Sequence, residues 1–424
     1  MLTAISRYGV RIPQNLGKIV AHCRKRGELA RGPFIAHFED ALSAYLGSGR
    51  AVSASFGRMA FFYILKAFQL PAGAEIIVPA LTFWVIPEMA RVAGLKVVFA
   101  DVDPATFNLD PECLEKAITD RTRAIVPTHL YGLPCDMEAI LRVAERHNLY
   151  VIEDCAHALG ARYRGRPVGT FGHAAFFSFQ ALKPLNTFGG GMALVQDPQL
   201  GQRVADLAHS EPWLEESLLL RRLRFGQLQR FFMKPAVFTM TGFPILWFSA
   251  LLQARPDVYL WEAIRSLNPL PAAYTRRYTN VQAAIGLAGL RELEKWNEET
   301  RCRARRMDEA LGGLPWVVTP RVPPDVLHIY YQYCVYVPNR DDLVRRAILR
   351  GVDVETLHVD VCTRVGLFRD SWTSAPCAER AAQAVQLPVY CGLKENDLRR
   401  IAAVIRRALL NQTKKPLVAS QSVQ

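Results

Sequence analysis

The chain has 424 residues, half of them hydrophobic and 21% charged, so its composition is that of a globular protein with enough length for two domains. A formal net charge of +13 favours anionic partners such as phosphorylated substrates, nucleotides or a membrane face. The sequence has no zinc pattern, RNA-binding signature or basic region with heptads, so we expect no nucleic-acid partner. The nine cysteines form no C-x-x-C pair and the N-terminus carries no secretory signal. We therefore expect reduced thiols, no metal site and a cytoplasmic location.

Strand-like and helical patterns alternate from about residue 50. Apolar, β-rich runs cover residues 51–53, 75–78, 96–100, 124–128 and 150–153, and helical stretches such as 137–147 fall between them. This alternation predicts an α/β fold with a mainly parallel sheet and helices on both faces. Ligands of such a sheet bind beyond the carboxyl ends of its strands, where we expect Gly57, Asp154 and Lys183.

The alternation stops over residues 210–275. This segment begins with a basic, leucine-rich stretch and continues into eighteen uncharged residues, 235–252. That length only just reaches the threshold for a transmembrane span, Gly242 and Pro244 interrupt it, and a span would have to return to the same domain. Two interpretations stay open. One is a buried or dimer-covering insertion; the other is an element on a membrane surface, because arginines precede a Phe- and Trp-rich stretch.

Alternation resumes after residue 279. We predict a long helix over 281–311, a strand over 331–337, a helix over 341–350 and a last helix over 395–410. The whole pattern predicts a large α/β domain over residues 1–300, with the insertion at 210–275. A small C-terminal α+β domain over 301–412 and a flexible tail over 413–424 would follow.

A lysine and an aspartate in fixed order carry the chemistry. Asp154 closes an apolar run, and Lys183 follows 29 residues later, after a second run that contains Ser178. A lysine amine forms a Schiff base with the aldehyde of pyridoxal 5′-phosphate (PLP), and a carboxylate pairs with the pyridinium nitrogen so that the ring can accept electrons. The ordered pair therefore indicates PLP chemistry.

The turn after the first strand is a candidate phosphate site. Gly57 and Arg58 stand at a helix start, where free backbone N–H groups suit a phosphate, and the Ser178 hydroxyl is expected one strand away. Phe83, at another strand end, could stack on a flat heteroaromatic ring, although such aromatic residues are more often core. His157 could reach the ring substituents or orient the carboxylate; alternatively it packs as a polar helix residue.

Ordered motifs along the chain resemble the DegT/StrS-type sugar aminotransferase family. They include G-x-F-I-x-x-F-E at 32–39, E-I-I-V-P-A-x-T-F, A-I-V-P-T-H-L-Y-G, I-E-D-C-A-H-A-x-G-A, F-S-F-x-x-x-K and G-G-G. Q-A-A-I-G-L-A-x-L at 282–290 and Q-L-P-V-Y at 386–390 extend the resemblance over nearly the whole chain except 210–275. The resemblance implies a fold-type-I PLP enzyme with a seven-stranded-type sheet. It also implies a homodimer in which the partner subunit completes each active site.

The resemblance also implies a role for each matched residue. Lys183 would hold the cofactor and carry the proton, Asp154 would pair with the pyridine nitrogen, and His358 would face the substrate. Lys183 argues against the dehydratases of the family, which carry histidine at this position. The residues implied to contact the cofactor, its phosphate, its ring face or its ring hydroxyl are Gly57, Arg58, Phe83, Asp154, His157, Ser178 and Lys183.

Four positions depart from the family pattern. His157 stands where the family usually has glutamine, and Arg58 follows the phosphate turn where small residues and threonine are usual. Gly189 stands where a glutamate usually precedes two glycines, and Thr275 where an asparagine usually lies two residues before an arginine. These departures bear on how the phosphate is bound and on whether the partner subunit contributes a contact.

The resulting hypothesis is a PLP-dependent aminotransferase. It would move an amino group from an amino acid, commonly glutamate in this family, to a nucleotide-activated keto-sugar in the biosynthesis of cell-surface glycans or secondary metabolites. Two alternatives stay open. The same chemistry could act on a lipid-linked or non-sugar ketone at the inner face of the membrane, with 210–275 in peripheral contact. Alternatively, the chain could be a catalytically altered, membrane-associated binding subunit. The intact Asp154 and Lys183 argue against this second hypothesis.

Overall fold

The computed structural model describes residues 3–252, 262–314, 316–356 and 359–413. The strands in these ranges are β1 (Arg50–Ala54), β2 (Glu75–Pro79), β3 (Leu81–Thr82), β4 (Lys96–Ala100), β5 (Thr122–Ile125), β6 (Tyr150–Asp154), β7 (Arg162–Tyr163), β8 (Arg166–Pro167), β9 (Ala174–Ser178), β10 (Gly191–Val195), β11 (Val326–Leu327), β12 (Tyr333–Val335), β13 (Glu355–Thr356), β14 (Asp360–Val361) and β15 (Val385–Leu387). The helices are α1 (Leu16–Lys25), α2 (Phe34–Leu46), α3 (Gly57–Phe68), α4 (Val85–Val92), α5 (Pro111–Lys116), α6 (Met137–Arg146), α7 (Pro198–Ser210), α8 (Glu216–Phe232), α9 (Pro235–Met240), α10 (Gly242–Leu251), α11 (Asn280–Leu311), α12 (Arg340–Leu349), α13 (Pro376–Ala381) and α14 (Glu395–Thr413).

Seven strands form the central sheet, in the order β1–β10–β9–β6–β5–β2–β4. The pairs from β9 to β4 are parallel, and β10 runs antiparallel to both its neighbours. Strands β2 and β10 are buried along their whole length, as is typical of a sheet with helices on both faces. The predicted α/β class with a mainly parallel sheet is confirmed.

The sheet brings the predicted site residues to one edge. β1 and β9 are both antiparallel to β10, so both run in the direction of β6 and end at the same edge of the sheet. The predicted strands match the observed bounds closely except for 124–128, since β5 ends three residues earlier. The N–H of Val126 still donates to the carbonyl of Ile77 at 2.8 Å before the chain leaves the ladder.

The C-terminal part contains a separate antiparallel sheet of β12, β15 and β13. Helices α12 and α14 cover it, and Leu343, Ile348, Ile401 and Ile405 are buried in their common core. The predicted helices at 281–311 and 341–350 correspond to α11 and α12, whereas the strand predicted over 331–337 shortens to β12. The domain boundaries given above stay predictions, and the tail beyond residue 413 lies outside the described residues.

The described part of the predicted insertion is helical. The uncharged run 235–252 divides into α9 and α10, with a break at Thr241. Phe243, Leu246 and Ala250 of α10 are buried in the same core as α12. Within the described ranges, no helix has an apolar stretch long enough to cross a bilayer. One face of the insertion is therefore part of the protein core.

The N-terminal residues attach to the C-terminal sheet through a buried ion-pair network. Ile5 pairs with Val352 in an isolated β-bridge. The guanidinium of Arg7 lies 2.6 Å from Asp353 and 2.8 Å from Glu355, and all three side chains are only 4% exposed. Removing one member of a buried network leaves an uncompensated charge, so these residues hold the N-terminal residues on the C-terminal sheet.

Candidate active site

The predicted phosphate turn lies between the end of β1 and the start of α3. Phe56 caps α3 in an extended conformation without a side-chain capping bond, which leaves first-turn N–H groups available to an anion. Gly191 lies so close that a Cβ built on it would be 2.3 Å from the nitrogen of Gly57. A Cβ on Gly57 would in turn lie 2.9 Å from the Cβ of Ser178, at the end of β9. The glycines thus allow the turn, β9 and β10 to meet at backbone distance.

A hydrogen-bonded loop carries Lys183 across this turn. The N–H groups of Thr187 and Gly189 both donate to the carbonyl of Phe179, at 3.0 and 3.1 Å, and the N–H of Phe179 donates to Gly190 at 2.9 Å. Gln282 of α11 donates from its amide to the carbonyl of Gly189 at 3.0 Å. These bonds fix the loop on which the lysine stands.

Asp154 and Lys183 lie close enough for each charge to shift the pKa of the other group. Asp154 ends β6, is 4% exposed, and accepts a hydrogen bond from the N–H of Ala156 at 3.0 Å. Burial raises the pKa of Asp154, against the effect of that hydrogen bond and of the Lys183 charge. Burial lowers the pKa of the Lys183 amine, and the charge of Arg58 lowers it further, while Asp154 opposes both. An amine whose pKa is lowered in this way can serve as a base near neutral pH.

An aromatic group borders the lysine on the side of the C-terminal sheet. The Lys183 amine lies 5.2 Å from the ring centre of Tyr331, and that ring lies 4.4 Å from the ring of His157. The Nδ1 atom of His157 accepts a hydrogen bond from the N–H of Tyr131 at 3.4 Å. Tyr331, a residue that the sequence did not indicate, therefore lies next to both His157 and Lys183.

Arg58 lies at the turn but its charge is already paired. Its guanidinium donates to both carboxylate oxygens of Glu262, at 2.8 and 2.7 Å, and to the Tyr274 hydroxyl at 2.5 Å. The ring of Phe83, half-buried, has its centre 5.8 Å from the Arg58 guanidinium carbon. Phe83 and Arg58 are thus neighbours at the site, and Arg58 has an acidic partner that the sequence did not indicate.

The acidic residue before Asp154 holds the strand end in place. One oxygen of Glu153 accepts from the N–H groups of Phe171 and Gly172, both at 2.7 Å. The other accepts from the N–H of Gly169 at 2.7 Å and lies 3.0 Å from Nε2 of His129. Glu153 and His129 stand with Cys155 in a group of metal-ligand types. Because four hydrogen bonds occupy the carboxylate, its observed role is structural.

His358 and Thr275 are the two remaining positions that the sequence singled out. His358 lies outside the described residues, so its position toward the substrate stays a prediction. Thr275 is half-buried and its hydroxyl donates to the carbonyl of Ala272 at 3.4 Å, within its own loop.

These residues fit the cofactor that the sequence indicates. PLP needs an amine for its aldehyde, an anion for its ring nitrogen and donors for its phosphate. Lys183 supplies a desolvated amine, Asp154 a buried carboxylate, and the turn at Gly57 uncapped N–H groups beside the half-buried Ser178 hydroxyl. The three groups converge at the carboxyl edge of the sheet.

Comparison with known proteins places the chain among aminotransferases. A model of the DegT/DnrJ/EryC1/StrS aminotransferase family matches residues 12–213 and 253–406. The interval between the two matched parts, 214–252, contains α8, α9 and α10. We call residues 214–252, which lie within the predicted segment 210–275, the extra segment.

Individual proteins resemble the chain over most of its length. A pleiotropic regulatory protein of Geobacillus stearothermophilus is 32% identical over 382 residues, 86% of this chain and 87% of that protein. GDP-perosamine synthase of Caulobacter vibrioides is 32% identical, with 89% of this chain and 91% of that protein covered. Among solved structures, S. venezuelae DesV in complex with a ketimine intermediate matches with a TM-score of 0.73 at 26% identity, over 93% of this chain and 94% of that one.

Proposed function

We propose that this chain, which belongs to the DegT/DnrJ/EryC1/StrS aminotransferase family and is a PLP-dependent aminotransferase, aminates a nucleotide-activated keto-sugar with glutamate as donor. The observation that carries the proposal is the buried Asp154 within electrostatic reach of the Lys183 amine, beside the uncapped turn at Gly57. The 32% identity to an enzyme named GDP-perosamine synthase supports a nucleotide-sugar acceptor. Products of this type would serve glycan or secondary-metabolite biosynthesis.

Each protein group has one task in this proposal. PLP, when bound, supplies the electron sink that makes the amino-acid Cα acidic. Asp154 would keep a negative charge beside the ring nitrogen, and Lys183 would accept the proton of the amino-acid Cα and carry it to C4′ of the cofactor. First-turn N–H groups at Gly57 and the Ser178 hydroxyl would bind the phosphate, and Phe83 would cover the ring.

Two histidines complete the proposed site. His157, packed on Tyr331, would orient the ring substituents of the cofactor. His358 would contact the sugar, a role that rests on the sequence motif because this residue lies outside the described ranges. Tyr331 would keep water from the lysine amine, since its ring lies over that group.

A visible absorbance band provides the test. We expect the purified protein to be yellow, to lose the band when glutamate is added, and to recover it when a keto-sugar acceptor is supplied. Lys183→Ala should lack the band and the activity, whereas an Arg221→Gln control, changed at an exposed arginine of α8, should keep both. Colourless protein that takes up no PLP would overturn the proposal.

We also propose that the chain works as a homodimer with shared active sites. The resemblance of the chain to its family supports this proposal. Light scattering should give a mass of twice 47.6 kDa. A monomer with full activity would contradict the proposal.

The extra segment supports a peripheral contact with an anionic membrane as part of this proposal. We define its apolar surface by the exposed large side chains Leu218, Phe225, Leu228, Phe231, Phe232, Met240, Ile245, Phe248, Leu251 and Leu252. Phe225 is 68% exposed and Ile245 66%. Residues 217–252 contain five basic and no acidic residues, so this apolar surface carries the charge that anionic lipids attract.

Vesicle flotation tests the membrane contact. We expect the protein to float with phosphatidylcholine vesicles that contain phosphatidylglycerol, and Phe225→Ser/Leu228→Ser to remain in the soluble fraction. Trp372→Ser is a matched control because Trp372 is 50% exposed elsewhere on the protein. If the double variant instead turns a dimer into a monomer, the apolar surface is a subunit interface and the membrane proposal is wrong. Membrane contact would make a lipid-linked acceptor the first alternative substrate to assay.

A further inference from the structure

We infer that Arg222, in α8 of the extra segment, binds a phosphoryl group at the cofactor turn. The family model does not include this residue, and the sequence motifs gave it no role. The ligand chemistry is a phosphate ester or diphosphate, and it has two sources in the proposed reaction: the phosphate of PLP and the diphosphate of a nucleotide sugar. The inference rests on the proposed function only in requiring one of these two molecules.

The guanidinium of Arg222 contacts both sides of the turn. Its central carbon lies 5.5 Å from the ring centre of Phe56, the residue that precedes Gly57. Its Nη1 lies 3.4 Å from the position that a Cβ on Gly189 would occupy. Phe56 forms an isolated β-bridge with Gly190, so the two contacts belong to one small region of backbone.

The helix that carries Arg222 is firmly held against this region. Leu219 and Leu223 are buried in a core shared with Phe188, which precedes Gly189 on the lysine loop. At Gly226, a Cβ would come within 2.0 Å of the Phe188 ring, so the backbone of the helix packs directly on this ring of the lysine loop. Residues 219, 222, 223 and 226 lie on one helix face because their spacings are three and four residues. Packing therefore positions Arg222 on the side of α8 that faces the site.

Arg222 lacks the acidic partner that Arg58 has. Arg58 is paired with Glu262. Among the described residues Arg222 makes no hydrogen bond or ion pair, and it is only half-exposed. Burial lowers the pKa of Arg222, which reflects the cost of keeping this charge away from water. A phosphoryl group would supply the missing anion, and the guanidinium matches its geometry with two parallel hydrogen bonds.

Gly189 has no side chain, which keeps the space beside the Arg222 guanidinium open for an anion. Its φ of +114° is a backbone conformation that favours glycine, and Nη1 of Arg222 lies at ordinary contact distance, 3.4 Å, from the position where a side chain would begin. A carboxylate here would pair with Arg222 and remove its capacity for an external anion. The glycine and the arginine therefore act together.

Binding to three probes separates the two phosphate sources. The variants are Arg222→Gln, Arg222→Lys and the matched control Arg221→Gln, whose arginine is exposed on the same helix. The cofactor-free proteins would be titrated with PLP, with pyridoxal, which lacks the phosphate, and with UDP. We expect Arg222→Gln to weaken binding of PLP, of UDP or of both by about tenfold or more, as for the loss of a hydrogen bond to a charged group, and to leave pyridoxal unchanged. A loss confined to PLP identifies the cofactor phosphate, and a loss confined to UDP identifies the substrate diphosphate.

Several outcomes would overturn the inference. One is that Arg222→Gln and wild type bind both phosphorylated probes with equal affinity. Another is that the Arg221→Gln control loses as much affinity as Arg222→Gln, which would indicate only long-range electrostatic attraction. If Arg222→Gln unfolds, Arg222→Lys decides: an ammonium cannot make the two parallel hydrogen bonds of a guanidinium, so we expect weaker binding of the phosphorylated probes and unchanged binding of pyridoxal. Equal losses of PLP and pyridoxal in either variant would show a packing role alone. If wild type binds no PLP at all, the proposed function fails; if wild type binds PLP and the variants match it, only the role of Arg222 fails.

Discussion

Gly191→Ala tests the close contact on which the phosphate turn depends. An added Cβ would lie 2.3 Å from N and 2.4 Å from Cα of Gly57, and 2.5 Å from the carbonyl carbon of Phe56. All three are backbone atoms, so no side chain can rotate away. Gly191 is not among the residues with positive φ, so alanine is conformationally acceptable there and the contact alone decides the outcome.

The size of the effect follows from this geometry. To restore an ordinary contact of 3.4 Å, the turn and β10 must separate by about 1.1 Å. Overpacking of this kind costs about 1–3 kcal/mol. Because the turn holds the proposed phosphate site, the strain should lower the free energy of unfolding, the PLP affinity, or both. If it appears entirely in binding, PLP affinity should fall by about fivefold to a hundredfold.

Urea unfolding and PLP titration of Gly191→Ala measure both quantities. Gly17→Ala in α1 is the matched control, since nothing lies within 4 Å of its Cβ position. In this control, alanine should stabilise the protein by about 0.4–1 kcal/mol. If Gly191→Ala matched the control in both stability and PLP affinity, our account of the turn would be refuted.

Three further predictions address charge. Asp154→Asn should still take up PLP but slow the half-reaction with glutamate by about tenfold to a hundredfold, because the ring nitrogen loses a buried anion; an unchanged stopped-flow rate would contradict this role. Burial lowers the pKa of His328 to about 4, so the unfolded chain binds the extra proton between about pH 6.5 and pH 4, and the folded state loses stability as pH falls. Between pH 7 and pH 5 wild type should lose about 2 kcal/mol more than His328→Gln in urea unfolding, and parallel pH profiles would argue against it. Arg7→Met should cost about 3–5 kcal/mol of unfolding free energy, because Asp353 and Glu355 would remain buried without their cation; a loss below 1 kcal/mol would show that the network is dispensable.

The sheet and the central pair of site residues could be predicted because their signals are local. Buried strands appear in the sequence as short apolar runs, and parallel strands end at the same edge of a sheet. We therefore expect Asp154 and Ser178 beside the turn at Gly57. The structure places Asp154 and Lys183 within electrostatic reach of each other, and their roles toward the cofactor stay predictions.

The remaining features depend on contacts between distant parts of the chain. Tyr331 meets His157 and Lys183 through the packing of the C-terminal part, and no periodicity marks such a residue. Arg58 carries the expected charge, but its partner Glu262 lies 204 residues away. The run 235–252 has a composition equally typical of a core helix and a membrane element, so only packing against α12 could show that part of it is core.

The two faces of α8 have a joint thermodynamic consequence. Arg222 lies at the cofactor turn, and Leu228, which is 51% exposed, lies on the other side of the helix six residues later, about 9 Å along its axis. A helix is close to a rigid body, so a partner that shifts or immobilises the outer face also acts on the anion at the inner face. Coupling of this kind is reciprocal: whatever factor a bound surface contributes to phosphoryl affinity, the phosphoryl ligand must return to surface affinity. Binding of the phosphoryl ligand at the active site and binding of the protein to a surface would then be thermodynamically linked.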